Sequence, residues 1–450
     1  MDELFDLPPG EPVPDLEARR GAPRVQRPNR VQFLLRTTDL EGLLSPDHRA
    51  RLVWEFVEGL DLAPLYARIR ATIDGPGRPP IDPAILTALW LYATLENVGS
   101  ARALERLCDA HDAYRWICGG ISVNHHTLAD FRVDHAELFD RLLTTSVAAH
   151  AAEGLVTLSR VAQDGFRVRA AAGRGSYRRA DRLADLERDA TGHVAALRDE
   201  LLADPGASNR RLAAARERAA RERAERVRAA LAKLPEITAR KARRTYRGRK
   251  DEPPAASVTD PEARFMRMPD GGVRPAFNVQ LATTTADQVI VGLEVVTGTD
   301  QDQLRPMADQ LAARYGPVVR EHLADGGYVN LGHLDHLASC GTTAYLPVQK
   351  PRRGFRRDPH LPRPRDSAAV AAWRIRMGTP EAKEIYPERA ATAECVNAIA
   401  RNRGLIAFRV RGLRRARAVV LWFVLAHNLM RAVALRAARA AAPSGVTGTA

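Results

Sequence analysis

Residues 155–166, LVTLSRVAQDGF, mark the point at which the chain stops reading as helix. Val156, Leu158, Ala162 and Asp164 share one parity, and such alternation sends successive side chains to opposite faces of a strand. Asp164 is then expected at the far end of that strand, where Gly165 lets the chain turn. Two readings of this aspartate stay open: an Asx turn that ends a strand, or an acid displayed at a sheet edge.

Upstream, from Ser45 to Gly154, apolar residues recur at helical spacing, with Ser45-Pro46, Asp82-Pro83 and Ser100 as start signals. This predicts an all-α N-terminal domain over residues 41–154. The helices expected over 82–97 and 100–110 meet at the turn Val98-Gly99-Ser100. They form either a helix-turn-helix that lays Arg102 and Arg106 in a DNA groove or a packed hairpin. Residues 1–40 are rich in Pro and Arg without a period, the composition of a loosely ordered arm.

Downstream, residues 174–250 abandon the strand pattern. Leu183, Leu186, Leu197 and Leu201, then Leu212, Val227 and Leu231, predict a helical hairpin insertion broken at Asp204-Pro205-Gly206. It ends in KARRTYRGRK (241–250), whose Arg243, Arg244 and Arg247 suit a segment tracking phosphates; a solvated helix end is the competing view. Strands resume at PAFNVQLATTT and QVIVGLEVVTG, joined by a short hairpin connection. Next come a helix reaching Arg314, a short strand delivering Asp325 to Gly326-Gly327, a helix opened by Asn330, and a strand over 341–349. Asp300 and Asp302 are assigned to helix capping. The sum is a mixed α/β domain over residues 155–437, interrupted by inserts, with a flexible tail at 438–450.

The last chemical stretch is Tyr386–Arg403, YPERAATAECVNAIARNR, a helix with Pro387 in its first turn. Glu394, Asn397 and Arg401 fall on one face, Val396 and Ile399 on the other. Read alone, this is a solvated helix whose Glu394 pairs with an arginine; Glu388 at its start compensates the helix dipole.

Bulk properties narrow the partners. Lys+Arg 68 against Asp+Glu 54 gives a net charge of +14 and a pI near 10.2, which favours a polyanion, nucleic acid foremost. The start MDELFDLPPG is unlike a signal peptide, and the longest apolar run, Ala418–Met430, is short for a bilayer and reads as a buried helix. No membrane partner and a cytoplasmic, nucleoid-associated protein are therefore expected. Four cysteines without CxxC spacing point to a reducing compartment. Cys108, His111, Cys118 and His125 can be drawn as a zinc site, but their spacing fits no standard finger.

Asp164, Asp325 and Glu394 share a context of strand ends and a late basic helix. Convergent carboxylates are what Mg²⁺ prefers, and two such ions ~4 Å apart serve in-line displacement at phosphorus.

Over nearly its whole length the chain resembles the DDE transposases of bacterial insertion sequences. GRPPIDP (77–83) and SARALERLCDAHDAYRWICGG (100–120) resemble the N-terminal domain of one branch. QDGFRVRAAAG (163–173) resembles the first-Asp strand, TDPEARFMR (259–267) with PAFNVQLA (275–282) its following hairpin, and ADGGY (324–328) the second-Asp strand. Tyr386, Arg389 and Glu394, with RNRG (401–404) and LAHNLMR (425–431), resemble the C-terminal signature. The resemblance implies an RNase H-like catalytic domain in prokaryotic DNA transposition. Its catalytic and metal-binding set would be Asp164, Asp325 and Glu394, with two Mg²⁺ or Mn²⁺ ions. It implies binding of terminal inverted repeats, cleavage and transfer of DNA strands, and self-association on double-stranded DNA that comprises the element's ends and the target. Tyr386 and Arg389 would sit near the DNA strand, with Asn397, Arg401, Arg403 and the arginines of the basic run as further contacts. Two departures stand out: four residues separate Arg389 from Glu394 where the signature has three, and Arg401 replaces a lysine. A decayed or domesticated DNA-binding protein, or an RNase H-like nuclease without strand transfer, are the alternative readings.

Overall fold

The structure, a computed structural model, describes residues 39–71, 79–203, 210–242, 253–349 and 358–441. The expected arm at 1–40, except its last two residues, lies outside the described residues, as do Asp204-Pro205-Gly206, Arg243, Arg244, Arg247 and the end of the tail.

Seven helices come first: α1 Arg49–Glu58, α2 Ala63–Tyr66, α3 Pro83–Leu95, α4 Ala101–Ala110, α5 Asp112–Cys118, α6 His125–Asp134 and α7 Ala136–Ala152. Asp82 and Ser100 cap α3 and α4 by accepting from the amides of Ala84 and Ala103, as their positions in the sequence predict. Ser45 does not start α1. Its carbonyl instead accepts from the His48 amide and Arg51 Nε, turning the chain, and the His48 ring caps the helix three residues later.

Strand β1 Arg160–Arg169 follows, then β2 Tyr177–Arg179, the hairpin of α8 Ala180–Ala203 and α9 Arg210–Ala242, and β3 Ala255–Ser257. The hairpin closes over its own small core of Leu183, Val227, Ala230 and Leu234. The sheet continues through β4 Arg264–Arg267, β5 Val273–Thr284 and β6 Ile290–Val296, then α10 Leu304–Tyr315, β7 Glu321–Leu323, α11 Leu331–Ser339 and β8 Thr343–Tyr345. Helices α12 Ala368–Gly378, α13 Pro380–Ile385, α14 Glu388–Asn402 and α15 Leu413–Ala441 complete the chain. The fold is mixed α/β.

The main sheet runs β6-β5-β1-β7-β8, with β4 on the same edge of β5 as β6. The pairs β6-β5 and β5-β1 are antiparallel, whereas β1-β7 and β7-β8 are parallel. The expectation that Gly165 ends the first strand is overturned: β1 runs through it to Arg169, pairing Gly165 with Gln280. What the glycine supplies is room. A Cβ there would lie 2.2 Å from Gln280 Nε2 and 2.5 Å from Asp300 Oδ1.

Helix α15 binds the two halves together. Its Trp422 packs on Phe139 of α7, with ring centroids 4.4 Å apart, and its indole donates to the Arg132 carbonyl at 2.9 Å. One apolar cluster consequently runs from Leu89 of α3 through Phe423 to Ile290 of β6. At 29 residues α15 outruns the expected apolar segment and is long and apolar enough to cross a membrane, but 67% of its most apolar stretch is buried inside the fold.

Two side-chain amides close the outer edge of β6, which would otherwise expose unpaired backbone groups. Asn428 of α15 accepts from the Ile290 amide at 2.9 Å and donates to its carbonyl at 2.7 Å. Gln310 of α10 does the same at Leu293, at 3.0 Å both ways. Asn428→Leu and Gln310→Leu each orphan a backbone donor and acceptor, and each is expected to lower stability to urea by about 1–3 kcal/mol per group left unsatisfied; equal unfolding midpoints for both variants and the parent would contradict this.

Candidate active site

The register of the parallel strands brings two acids together. Ala162 pairs with Leu323, and Asp164 and Asp325 each stand two residues beyond that pair, hence on the same face and at the same level. Asp325 begins a 3-10 turn, accepting from the Gly327 amide at 2.7 Å. Asp164 is largely buried, with its side chain 18% exposed. One oxygen accepts from the Gly165 amide at 2.8 Å, the other from Asn397 Nδ2 of α14 at 3.0 Å. Burial pushes the Asp164 carboxyl up to about 6; the Gly165 hydrogen bond and Arg389 oppose this, while the charges of Asp325 and Asp300 add to it.

Asp300 lies against the opposite face of β1, where Gly165 has no side chain. The capping role expected of it is not what it does, since Gln303 precedes α10. Its oxygens accept from Asn278 Nδ2 and Gln280 Nε2 at 2.8 Å and from Arg167 Nη2 at 2.9 Å. Gln280 also accepts from the Tyr328 hydroxyl at 2.5 Å and from Gln163 Nε2 at 3.1 Å. Gln163 in turn bonds His322 at 2.9 Å. Burial holds the His322 imidazole neutral, pulling it down to about 4. Burial also raises the Tyr328 phenol well above its ordinary value, and the charges of Asp300, Asp164 and Asp325 act in the same sense. Asp300 and this network escaped the sequence reading. The available signal was two polar residues, Asn278 and Gln280, at period two in an otherwise apolar strand, since a buried amide implies a polar partner across from it.

Helix α14 crosses β1 on the side of Asp164. The expected single polar face is split. Asn397 is 4% exposed and turned toward the strand, so it holds Asp164 rather than facing outward. Glu394, one turn earlier, is 66% exposed on its side chain and pairs with Arg389 Nη2 at 3.2 Å. Arg389 Nη1 lies 3.9 Å from Asp164 Oδ2, so one guanidinium stands between the two acids. Tyr386, half-buried, has its phenol raised by burial, with the charges of Asp325 and Asp164 in the same sense and Arg389 opposing. Glu388 is engaged by Arg160 at 2.6 Å. Among the described residues no three His, Cys, Asp or Glu side chains are grouped to hold a metal ion. That covers the cysteine cluster too, where His111 caps α5 and His125 pairs with Glu105 at 2.8 Å.

Further along β1, at Gly165–Arg167, opens a basic cleft of about 490 Å³, lined by Arg167, Arg240, Arg267 and Arg401 together with Phe166 and Phe265. The Arg401 guanidinium sits 5.9 Å from the Phe166 ring centroid. Arg403, at the end of α14, lines a different cavity. In the N-terminal helices, Arg102 and Arg106 are exposed on α4, which packs on α5 and α6.

Residues 38–134 match the family model described as Transposase domain (DUF772), a stretch running from just before α1 to the end of α6. The helical part of the chain is thus similar to a transposase domain, which supports a transposase-like function. No curated protein matches the chain, and no solved structure does.

Because the folded carboxyl of Asp164 titrates at about 6, above its value in an unfolded chain, it is the protonated form that favours folding. Its contribution is full below about pH 4 and is lost as pH rises through about 6, a change of about 3 kcal/mol. Asp164→Asn keeps an acceptor for Asn397 and removes that charge. In buffer with chelator it is expected to be more stable than the parent near pH 8, by up to about 3 kcal/mol, with the gain vanishing below about pH 4. Urea titrations across this range check it; a pH-independent difference would count against a buried, repelled carboxylate at position 164.

Proposed function

We propose that the chain is a DDE transposase that binds the inverted-repeat ends of a mobile element and catalyses metal-dependent cleavage and transfer of DNA strands. The observation that carries this reading is the buried Asp164 beside Asp325 at one level of two parallel strands, with Arg389, Asn397 and Glu394 of α14 arranged over it. The sheet order, an antiparallel β6-β5-β1 meander continued by parallel β7 and β8, supports an RNase H-like catalytic domain. The transposase domain over residues 38–134 and the net charge of +14 support DNA as the partner.

The fit to a divalent metal is partial. The Asp164 carboxylate already feels the charges of Asp325 and Asp300, which is what a hard cation relieves. Glu394 is held off by Arg389, so a three-carboxylate centre needs that pair to open. When bound, Mg²⁺ or Mn²⁺ supplies polarisation of a phosphate oxygen and activation of the attacking one. The chain's own residues do the rest. Asn397 and the Gly165 amide fix both oxygens of Asp164. Arg389 offsets negative charge between Asp164 and Glu394, and the arginines of the cleft hold a strand's phosphates in register with the aspartates.

One observation, the engagement of Glu394 by Arg389, favours the second reading, a DNA-binding protein of transposase origin without chemistry. One assay separates them. In Mg²⁺, nicking of a duplex bearing the element's ends is expected from the parent and to fall by ~10³-fold or more in Asp164→Asn, Asp325→Asn and Glu394→Gln, with DNA retention unchanged. Cleavage by Glu394→Gln would remove Glu394 from the site, and a parent that binds but never cuts would leave the second reading.

A further inference from the structure

A second basic cavity, of about 520 Å³, lies where the N-terminal helices meet the sheet. Four arginines line it: Arg132 of α6, Arg169 at the end of β1, and Arg403 and Arg409 between α14 and α15; no carboxylate does. Among the described residues none of the four forms an ion pair. The nearest acids are engaged elsewhere: Glu96, which Arg403 feels, pairs with Arg49 at 2.9 Å, and Asp270, which Arg169 feels, is gripped by Arg274.

One of these guanidinium groups is buried and a second is half-buried. Arg132 is 8% exposed; its Nη1 donates to the Gly99 carbonyl at 2.9 Å, its plane sits 4.5 Å from the Trp90 ring centroid, and its Nε has no partner. Arg403 Nη1 is likewise buried without a partner. Burial pulls Arg132 down to about 10, and the charge of Arg409 adds to this; burial and the charge of Arg49 lower Arg403. Buried like charges without a counter-charge are costly, and an anion among them offsets that cost.

The walls are also held in place. Gly404, at φ +78°, is pressed so closely by the α3–α4 turn that a Cβ there would stand 1.8 Å from Asn97 Oδ1. Trp90 and Trp422 each donate to a backbone carbonyl of α6, at 2.9 Å. Such a cavity is shaped before anything enters it.

We propose that this cavity is a binding site for a phosphate group, carried by a DNA backbone or by a free phosphate compound. The first source rests on the function proposed above and is the one the net charge of +14 supports. At that seam the N-terminal helices and the sheet would hold one backbone phosphate jointly.

Arg169 and Arg409 are exposed, so Arg169→Ala/Arg409→Ala, and Arg409→Gln alone, leave the core untouched. At constant ionic strength, inorganic phosphate is expected to raise the thermal midpoint of the parent over chloride, with the shift growing with concentration and lost in the double variant. With a mixed-sequence DNA duplex, the double variant is expected to lower the slope of log affinity against log salt by about 1. A reduced slope assigns the phosphate to DNA, whether or not free phosphate also stabilises. Stabilisation with an unchanged slope assigns it to a free phosphate compound. Neither effect, or equal stabilisation of parent and variants with equal slopes, overturns the site. A parent that fails to bind DNA sinks the transposase reading alone, because the phosphate titration still decides the cavity.

Discussion

A carboxylate buried in the middle of the central strand is the constraint around which this fold is arranged. Asp164 cannot be left unsolvated without partners, and its two hydrogen bonds come from the next residue's amide and from Asn397. The second of these requires α14 to lie across β1, which also brings Arg389 within 3.9 Å of the acid. On the far face, the missing side chain of Gly165 admits Asp300, and Arg167, Asn278 and Gln280 then satisfy it. Three acids consequently crowd one stretch of backbone. Burial disfavours the carboxylate form of Asp164, and the charges of Asp325 and Asp300 add to this, so Asp164 lowers stability as pH rises through neutrality.

Helix α15 makes that arrangement possible from the other side. It supplies Trp422 to the N-terminal helices and Asn428 to the outer edge of β6, so those helices and the sheet share one apolar cluster. The seam between them is where the second cavity forms. The two basic cavities thus lie along β1, one at Gly165–Arg167 lined by Arg401 of α14, and one at Arg169 lined by Arg403 just past the end of that helix. Strand and helix together set the distance between the cavities.

Much of this was legible in the chain. The change of period near residue 155, the caps Asp82, Ser100 and Asn330, and the aspartate placed before Gly326 read correctly as element boundaries, whereas Asp164, expected at the far end of its strand, lies inside it. Gly165 itself was misread, because a glycine after an acid looks the same whether it turns the chain or admits a neighbour. Asp300 was misread for a related reason: an Asp before a helix is a good cap by local chemistry, and the amides that claim it come from a strand some twenty residues earlier.

Local physics acts between residues a few positions apart, and so the sequence by itself determined the helices, the strand periods, the basic charge and the identity of the acids. Which groups meet depends on strand register and helix crossing, quantities set by packing across more than two hundred residues. Only the tertiary structure could decide that Asn397 turns inward to Asp164 while Glu394, three residues before it, turns outward to Arg389. Those two side chains lie within one turn of the same helix, and the surface laid against that helix, not its sequence, separates their roles.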